Sequence, residues 1–139
     1  MILACFSLLG KSLFTLFLLM PHILVVDDDA DLLELVTLVL KRSQYQVTAL
    51  QDGTKVIPTI EDVAPDIILM DIYLGSTDGR NICKNLKTND KFQDIPVILY
   101  SAGNITSQSI IESKADSFIV KPFNNAEILE KIQSLQASR

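Results

Sequence analysis

The 139-residue chain has one histidine, two cysteines, no tryptophan and only five glycines. A single histidine, His22, leaves no partner set for a Ser-His-Asp triad or a multi-histidine metal centre. Cys5 and Cys83 lie far apart and neither belongs to a Cys-x-x-Cys pair, which excludes a disulfide scaffold and a structural zinc site. Basic residues number 12 against 17 acidic ones, for a net charge of −5, and no Lys/Arg cluster occurs, so direct nucleic-acid binding is not expected. The length suits one compact domain and is too short for a protein kinase, a two-domain dehydrogenase or a repeat array.

What is present is unevenly distributed. Residues 1–20 hold 15 apolar residues and a single charge, Lys11. As a membrane span this leader is marginal in length and carries a lysine at its centre. As a signal peptide it lacks a basic start and a small-residue cleavage site. Gly10-Lys11-Ser12 resembles the end of a phosphate loop, but Cys5 stands where the first glycine is required. The reading adopted is that Met20 is the true start and the leader is translated upstream sequence, with a membrane anchor as the alternative. It rests on a complete domain, residues 21–139, beginning directly after Met20.

From there, five short apolar runs alternate with segments of helical spacing. The runs are His22–Asp27, Tyr45–Leu50, Asp66–Met70, Ile95–Tyr100 and Asp116–Val120. The helices are expected over Asp29–Arg42, Thr54–Val63, Gly79–Thr88, Ile105–Lys114 and Asn125–Ala137. In the first, Leu32, Leu35, Val36, Val39 and Leu40 form one stripe, and Asp31 and Glu34 sit at capping-box spacing. Strand–helix alternation at this period predicts an α/β fold with a parallel sheet covered on both faces. Ligands bind such sheets beyond the carboxyl ends of the strands.

Those ends carry a distinctive set. The first strand ends in Asp27-Asp28-Asp29, the third in Asp71, the fourth in Ser101 and the fifth in Lys121-Pro122-Phe123. Each has an ordinary structural use when taken singly: a helix cap for an aspartate or Ser101, a turn for Asp71, a surface charge for Lys121. Jointly they bring a cluster of carboxylates, a hydroxyl and an ammonium to one edge. Two carboxylates about 4 Å apart repel by roughly 4 kcal/mol at an effective dielectric near 20, so the cluster needs a cation or raised pKa values. Hard oxygen donors around a partly open site suit Mg²⁺. The glycine-free, anionic loop after the first strand argues against a flavin or dinucleotide. A calcium loop fails because Leu32 and Leu38 stand where glycine and glutamate are needed.

This constellation resembles the receiver domain of bacterial response regulators, the chemotaxis-regulator type. The matching stretches are Ile23-Leu24-Val25-Val26-Asp27-Asp28, Ile67-Ile68-Leu69-Met70-Asp71 with Asp78-Gly79, Pro96 to Ala102, and Ala115 to Phe123. The resemblance implies a doubly wound (βα)5 flavodoxin-like sheet of order 2-1-3-4-5. It implies that Asp71 is the phosphoacceptor of a two-component phosphorelay, with Mg²⁺ held by Asp28, Asp71 and the Tyr73 backbone carbonyl, and by Asp27 through water. Lys121 would pair with a phosphoryl oxygen and Ser101 would hydrogen-bond another, with Phe118 at the aromatic switch position. The phosphate source would be a sensor histidine kinase or a histidine phosphotransfer protein, in the cytoplasm. Beyond its own phosphorylation and dephosphorylation the chain would catalyse nothing.

Further expectations follow from the departures. Gly75-Ser76-Thr77 replaces a proline-containing loop and is expected to be looser. Lys114 replaces a glycine, the fourth helix is expected to be short, and Phe118 lacks the usual tyrosine hydroxyl. Tyr73 is expected to shield the acyl phosphate. The chain ends soon after the fifth helix, giving the expectation of a stand-alone receiver that acts by protein contact through the surface formed by its fourth helix, fifth strand and fifth helix. The rivals are a binding-only pseudo-receiver and a small Mg²⁺-dependent phosphohydrolase using Asp27 as nucleophile.

Overall fold

The computed structural model describes residues 13–138. Its main sheet consists of β1 (His22–Val26), β2 (Gln46–Leu50), β3 (Ile67–Asp71), β4 (Val97–Ser101) and β5 (Ser117–Val120). All neighbours pair in parallel, in the order β2-β1-β3-β4-β5. The helices are α1 (Ala30–Arg42), α2 (Val56–Val63), α3 (Gly79–Lys87), α4 (Ser107–Ser113) and α5 (Asn125–Ala137). This is the expected doubly wound arrangement, and α4 is short, at seven residues.

Alternation along the strands divides the core into two layers. Ile23, Val25, Ile67, Leu69, Ile98 and Ile119 pack beneath α1 and α5, against Leu33, Val36, Leu40, Ile128 and Ile132. Leu24, Val26, Ile68, Met70, Val97 and Leu99 pack on the other face against α2 and α3, through Val56, Ile60, Cys83 and Leu86. Both faces being covered, every residue of β3 and β4 is buried, which is why these strands read as unbroken apolar runs. Burying a Leu or Ile side chain contributes about 1.5–3 kcal/mol, so these two layers supply most of the driving force for folding.

Two local expectations are corrected. Helix α1 buries Leu33, Val36 and Leu40, whereas Leu35 is 55 % exposed. Apolar residues occupy most positions of this helix, so its own spacing does not select a face, and docking on the sheet does. The cap is not the Asp31/Glu34 pair. Asp29 is the N-cap, its carboxylate accepting from the N–H groups of Asp31 and Leu32, both at 3.1 Å. The segment after Asp71 forms a short hairpin in which Tyr73–Leu74 pairs antiparallel with Thr77–Asp78. Gly75 takes φ +66° in its turn, a conformation glycine adopts without a Cβ penalty, and Thr77 Oγ1 donates to the Leu74 carbonyl at 3.0 Å.

Residues 13–19 are helical and their apolar side chains are exposed. The Gln46 side chain donates to the Phe17 and Met20 carbonyls, both at 2.9 Å, and so satisfies the end of this helix. No helix among the described residues is long and apolar enough to cross a membrane. The first part of the leader, including Cys5 and Gly10-Lys11-Ser12, lies outside the described residues.

Candidate functional site

The carboxyl ends of β1, β3 and β4 and the loop after β5 meet at one edge because parallel pairing keeps these ends level. Val26 is registered with Met70, Asp71 with Tyr100, and Ser101 with Val120. One residue beyond β1, Asp27 is held by its own N–H, which donates to the Leu50 carbonyl at 3.0 Å. Carboxylate oxygens of Asp27, Asp28 and Asp71 all lie within 4.8 Å of one another. The sequence-predicted acids are thus brought together.

Their environments differ. Asp27 is fully buried and both of its oxygens are engaged: Oδ1 accepts from the Asp29 N–H at 2.9 Å, and Oδ2 from the Tyr100 hydroxyl at 2.7 Å. Asp28 is exposed, with no hydrogen bond or ion pair tying its carboxylate to the described residues. Asp71 is buried at the mouth of the cluster; Oδ1 accepts from the Tyr73 N–H at 3.2 Å and Oδ2 from Lys121 Nζ at 2.9 Å. Burial pushes the Asp71 carboxyl above the usual range, and the hydrogen bond and charge of Lys121 pull against that shift.

Lys121 spans the cluster. Its ammonium lies 2.9 Å from Asp71 and 3.5 Å from Asp27, and its peptide bond to Pro122 is cis. Beside it, Leu32, Ala102, Pro122 and Phe123 line an open apolar hollow of about 500 Å³. Ser101 is fully buried, and its hydroxyl oxygen accepts from the Gly103 N–H at 3.2 Å. Phe118 is half-buried against the α2–α3 layer, opposite Leu99 in the register. Tyr73 is 52 % exposed, its ring lying over Gly103 in the loop that follows Ser101.

One residue of the site escaped the sequence reading. Tyr100 falls in the apolar run Ile95–Tyr100, yet its hydroxyl reaches Asp27. The signal was present: a tyrosine inside a strand buried on both faces must find a partner for its hydroxyl.

The donor set fits a divalent cation of the Mg²⁺ class: three hard carboxylates converge, one of them exposed, at an edge open to solvent. With an ammonium at the same edge, the arrangement can draw in and orient a phosphoryl group.

Residues 23–133 match the family model for the response regulator receiver domain. The chain belongs to this family. Among curated receiver-containing relatives, the DNA-binding response regulator MtrA of Mycolicibacterium paratuberculosis is 32 % identical over 115 residues, spanning 81 % of this chain and 50 % of MtrA. The chain thus spans about half the length of the curated relatives it matches. Among solved receivers, a putative response regulator from Chloroflexus aurantiacus superposes with a TM-score of 0.79 at 26 % identity, covering 85 % of this chain and 98 % of that one. The receiver domain of the sensor histidine kinase PA1611 from Pseudomonas aeruginosa, solved with a magnesium ion coordinated in its active-site cleft, gives a TM-score of 0.76 at 24 % identity, over 84 % of this chain and 97 % of that one.

Proposed function

We propose that this receiver accepts a phosphoryl group on Asp71 from a phosphohistidine donor, a sensor histidine kinase or a histidine phosphotransfer protein, in the cytoplasm. The observation that carries the reading is the Lys121 ammonium held 2.9 Å from an oxygen of a buried carboxylate at the open edge of an acidic cluster. A carboxylate oxygen of Asp71 attacks phosphorus in line, the P–N bond to the donor imidazole breaks, and the leaving nitrogen keeps the electron pair. Lys121 stays beside the acceptor and takes up a phosphoryl oxygen, since phosphoryl transfer needs alignment and charge neutralisation more than covalent chemistry. Asp28, Asp71 and the Tyr73 carbonyl would hold Mg²⁺ directly and Asp27 through water; when bound, the ion supplies neutralisation of the entering charge. Asp27 as nucleophile, which the phosphohydrolase reading needs, is disfavoured because it is fully buried with both oxygens engaged.

The acyl phosphate adds about −1.5 to −2 charge at the end of β3. Ser101 responds by giving up the Gly103 N–H and donating to a phosphoryl oxygen, and Phe118 turns into the space released. The surface formed by α4, β5 and α5 changes with it and binds a partner or passes the phosphate on. In a Ser101→Ala variant, phosphorylation and partner binding come apart; unchanged coupling would sink the switch.

The deciding experiment is the intact mass of the chain after incubation with acetyl phosphate, with and without Mg²⁺, beside an Asp71→Asn control. One added phosphoryl group, dependent on Mg²⁺ and on Asp71, is the expected result. A folded chain that gains none from acetyl phosphate or from a phosphohistidine protein overturns the reading in favour of a binding-only module.

A further inference from the structure

Lys121 faces two carboxylates and divides itself unequally between them. Asp27 is the more deeply buried of the two, so on desolvation alone it should hold the ammonium more strongly than Asp71 does. The distances run the other way, 3.5 Å to Asp27 Oδ2 and 2.9 Å to Asp71 Oδ2.

The difference has an identifiable source. The Tyr100 hydroxyl stands 2.7 Å from the same Asp27 Oδ2 and 3.3 Å from the Val26 carbonyl. It has one proton to donate, and the shorter contact assigns that proton to the carboxylate. Burial, reinforced by the charge of Asp27, pushes the phenol well above its ordinary range, so it stays a neutral donor. The ring is fixed as well. It meets Phe123 edge-on, with centroids 5.6 Å apart, and its face lies 4.8 Å from Lys121 Nζ.

We propose that Tyr100 is a positioning residue: its hydroxyl occupies the Asp27 oxygen that Lys121 would otherwise take, and this keeps the ammonium on Asp71. Tyr100 touches neither the acceptor oxygen nor an entering phosphate, and it acts through Asp27 and Lys121. The inference rests on the reading of Asp71 as acceptor and Lys121 as the group that meets the phosphate.

The Tyr100→Phe variant separates the hydroxyl from the ring, leaving the cation–ring contact and the packing on Phe123 in place. A crystal structure of the metal-free variant is expected to show Lys121 Nζ nearer to Asp27 than to Asp71, a readout that needs neither Mg²⁺ nor phosphate. The rate of phosphorylation by acetyl phosphate at saturating Mg²⁺ is expected to fall about tenfold, the scale of a lost hydrogen bond to a charged group. The Mg²⁺ dissociation constant, measured by titration calorimetry, should change by less than about twofold, because Asp28 and Asp71 keep their oxygens. In an Asp27→Asn background, where no charge competes for Lys121, adding Tyr100→Phe should leave the rate unchanged.

An ammonium that stays on Asp71 in the variant crystal overturns the proposal. So does an equal loss of rate in the Asp27→Asn background, which would mark Tyr100 as a structural residue only. If the unaltered chain takes no phosphate, the reading of Asp71 fails, while the crystal comparison still decides where Tyr100 leaves Lys121.

Discussion

Lys121 and Asp71, 50 residues apart in sequence, meet at 2.9 Å across the end of the sheet, with the lysine side chain 18 % and the aspartate side chain 8 % exposed. Removing the ammonium leaves two buried carboxylates facing each other without a counter-charge. Lys121→Ala is expected to destabilise the fold by about 1–3 kcal/mol at neutral pH. Mg²⁺ should recover more stability in the variant than in the unaltered chain, since it supplies the missing positive charge. Urea unfolding with and without Mg²⁺ checks both statements, and unchanged midpoints would refute them.

Gly79 packs against the backbone at the end of the strand that carries Asp71. Its N–H donates to the Ile72 carbonyl at 2.7 Å, and a Cβ added there would collide with the Asp71 backbone carbonyl. Neither backbone group is free to yield. Gly79→Ala is therefore expected to cost about 1–3 kcal/mol, the scale of an overpacked core, and to slow phosphorylation by shifting Asp71. Thermal unfolding and the acetyl phosphate assay measure the two effects separately.

Asp78 caps α3 by accepting from the Arg80 N–H at 2.8 Å, and it also pairs with the Arg80 guanidinium at 2.6 Å. The Arg80 side chain lowers the Asp78 carboxyl below its ordinary value. A depressed folded-state pKa means the unfolded chain binds the proton more readily. The stabilisation is thus present above the unfolded value near 3.8 and is lost as pH falls through the folded one. Asp78→Ala should cost about 1 kcal/mol at neutral pH, mostly through the cap, because the ion pair is partly exposed and screened. The deficit should shrink below about pH 4, and a deficit independent of pH would show that charge plays no part.

Lys114 ends α4 with φ +62°, in the left-handed region where a side chain is strained. The resemblance had already marked this position as one where glycine is usual, and the backbone explains why. Lys114→Gly removes a strain of about 1–2 kcal/mol and adds chain entropy to the unfolded state, for a net gain of about 0.5–1 kcal/mol. A lower unfolding midpoint in the glycine variant would contradict this account.

Tyr73 leaves half its surface in solvent while its ring lies over Gly103, beside the loop that must move if Ser101 turns toward the phosphate. A ring in this place is expected to restrict the approach of water to a phosphoryl group on Asp71. Tyr73→Asn, which has little apolar surface, is expected to shorten the phosphoryl lifetime severalfold, read by the decay of the phosphorylated mass. Equal lifetimes would leave the ring without this role.

Much of the architecture was legible along the chain. Ile67-Ile68-Leu69-Met70 and Val97-Ile98-Leu99 read as strands covered on both faces, and helical spacing between such strands implied parallel pairing. Asp27, Asp28, Asp71, Ser101 and Lys121 were recognisable as a set because strand ends in a parallel sheet lie at one edge. Local pattern was weaker wherever it offered equivalent choices. Helix α1 carries leucines on several sides, and three aspartates in succession could each have capped it.

The sequence by itself determined the strand–helix alternation and which chemical groups stand at the strand ends, since both depend on short-range periodicity and position within an element. The tertiary structure alone decided the buried face of α1, with Leu33 inside and Leu35 in solvent, and the contacts that set the site's electrostatics. Tyr100 reaches Asp27 across 73 residues, and Lys121 reaches it across 94. These pairings exist because β1, β3, β4 and β5 lie side by side in a particular order, and no local pattern encodes which hydroxyl will meet which carboxylate there.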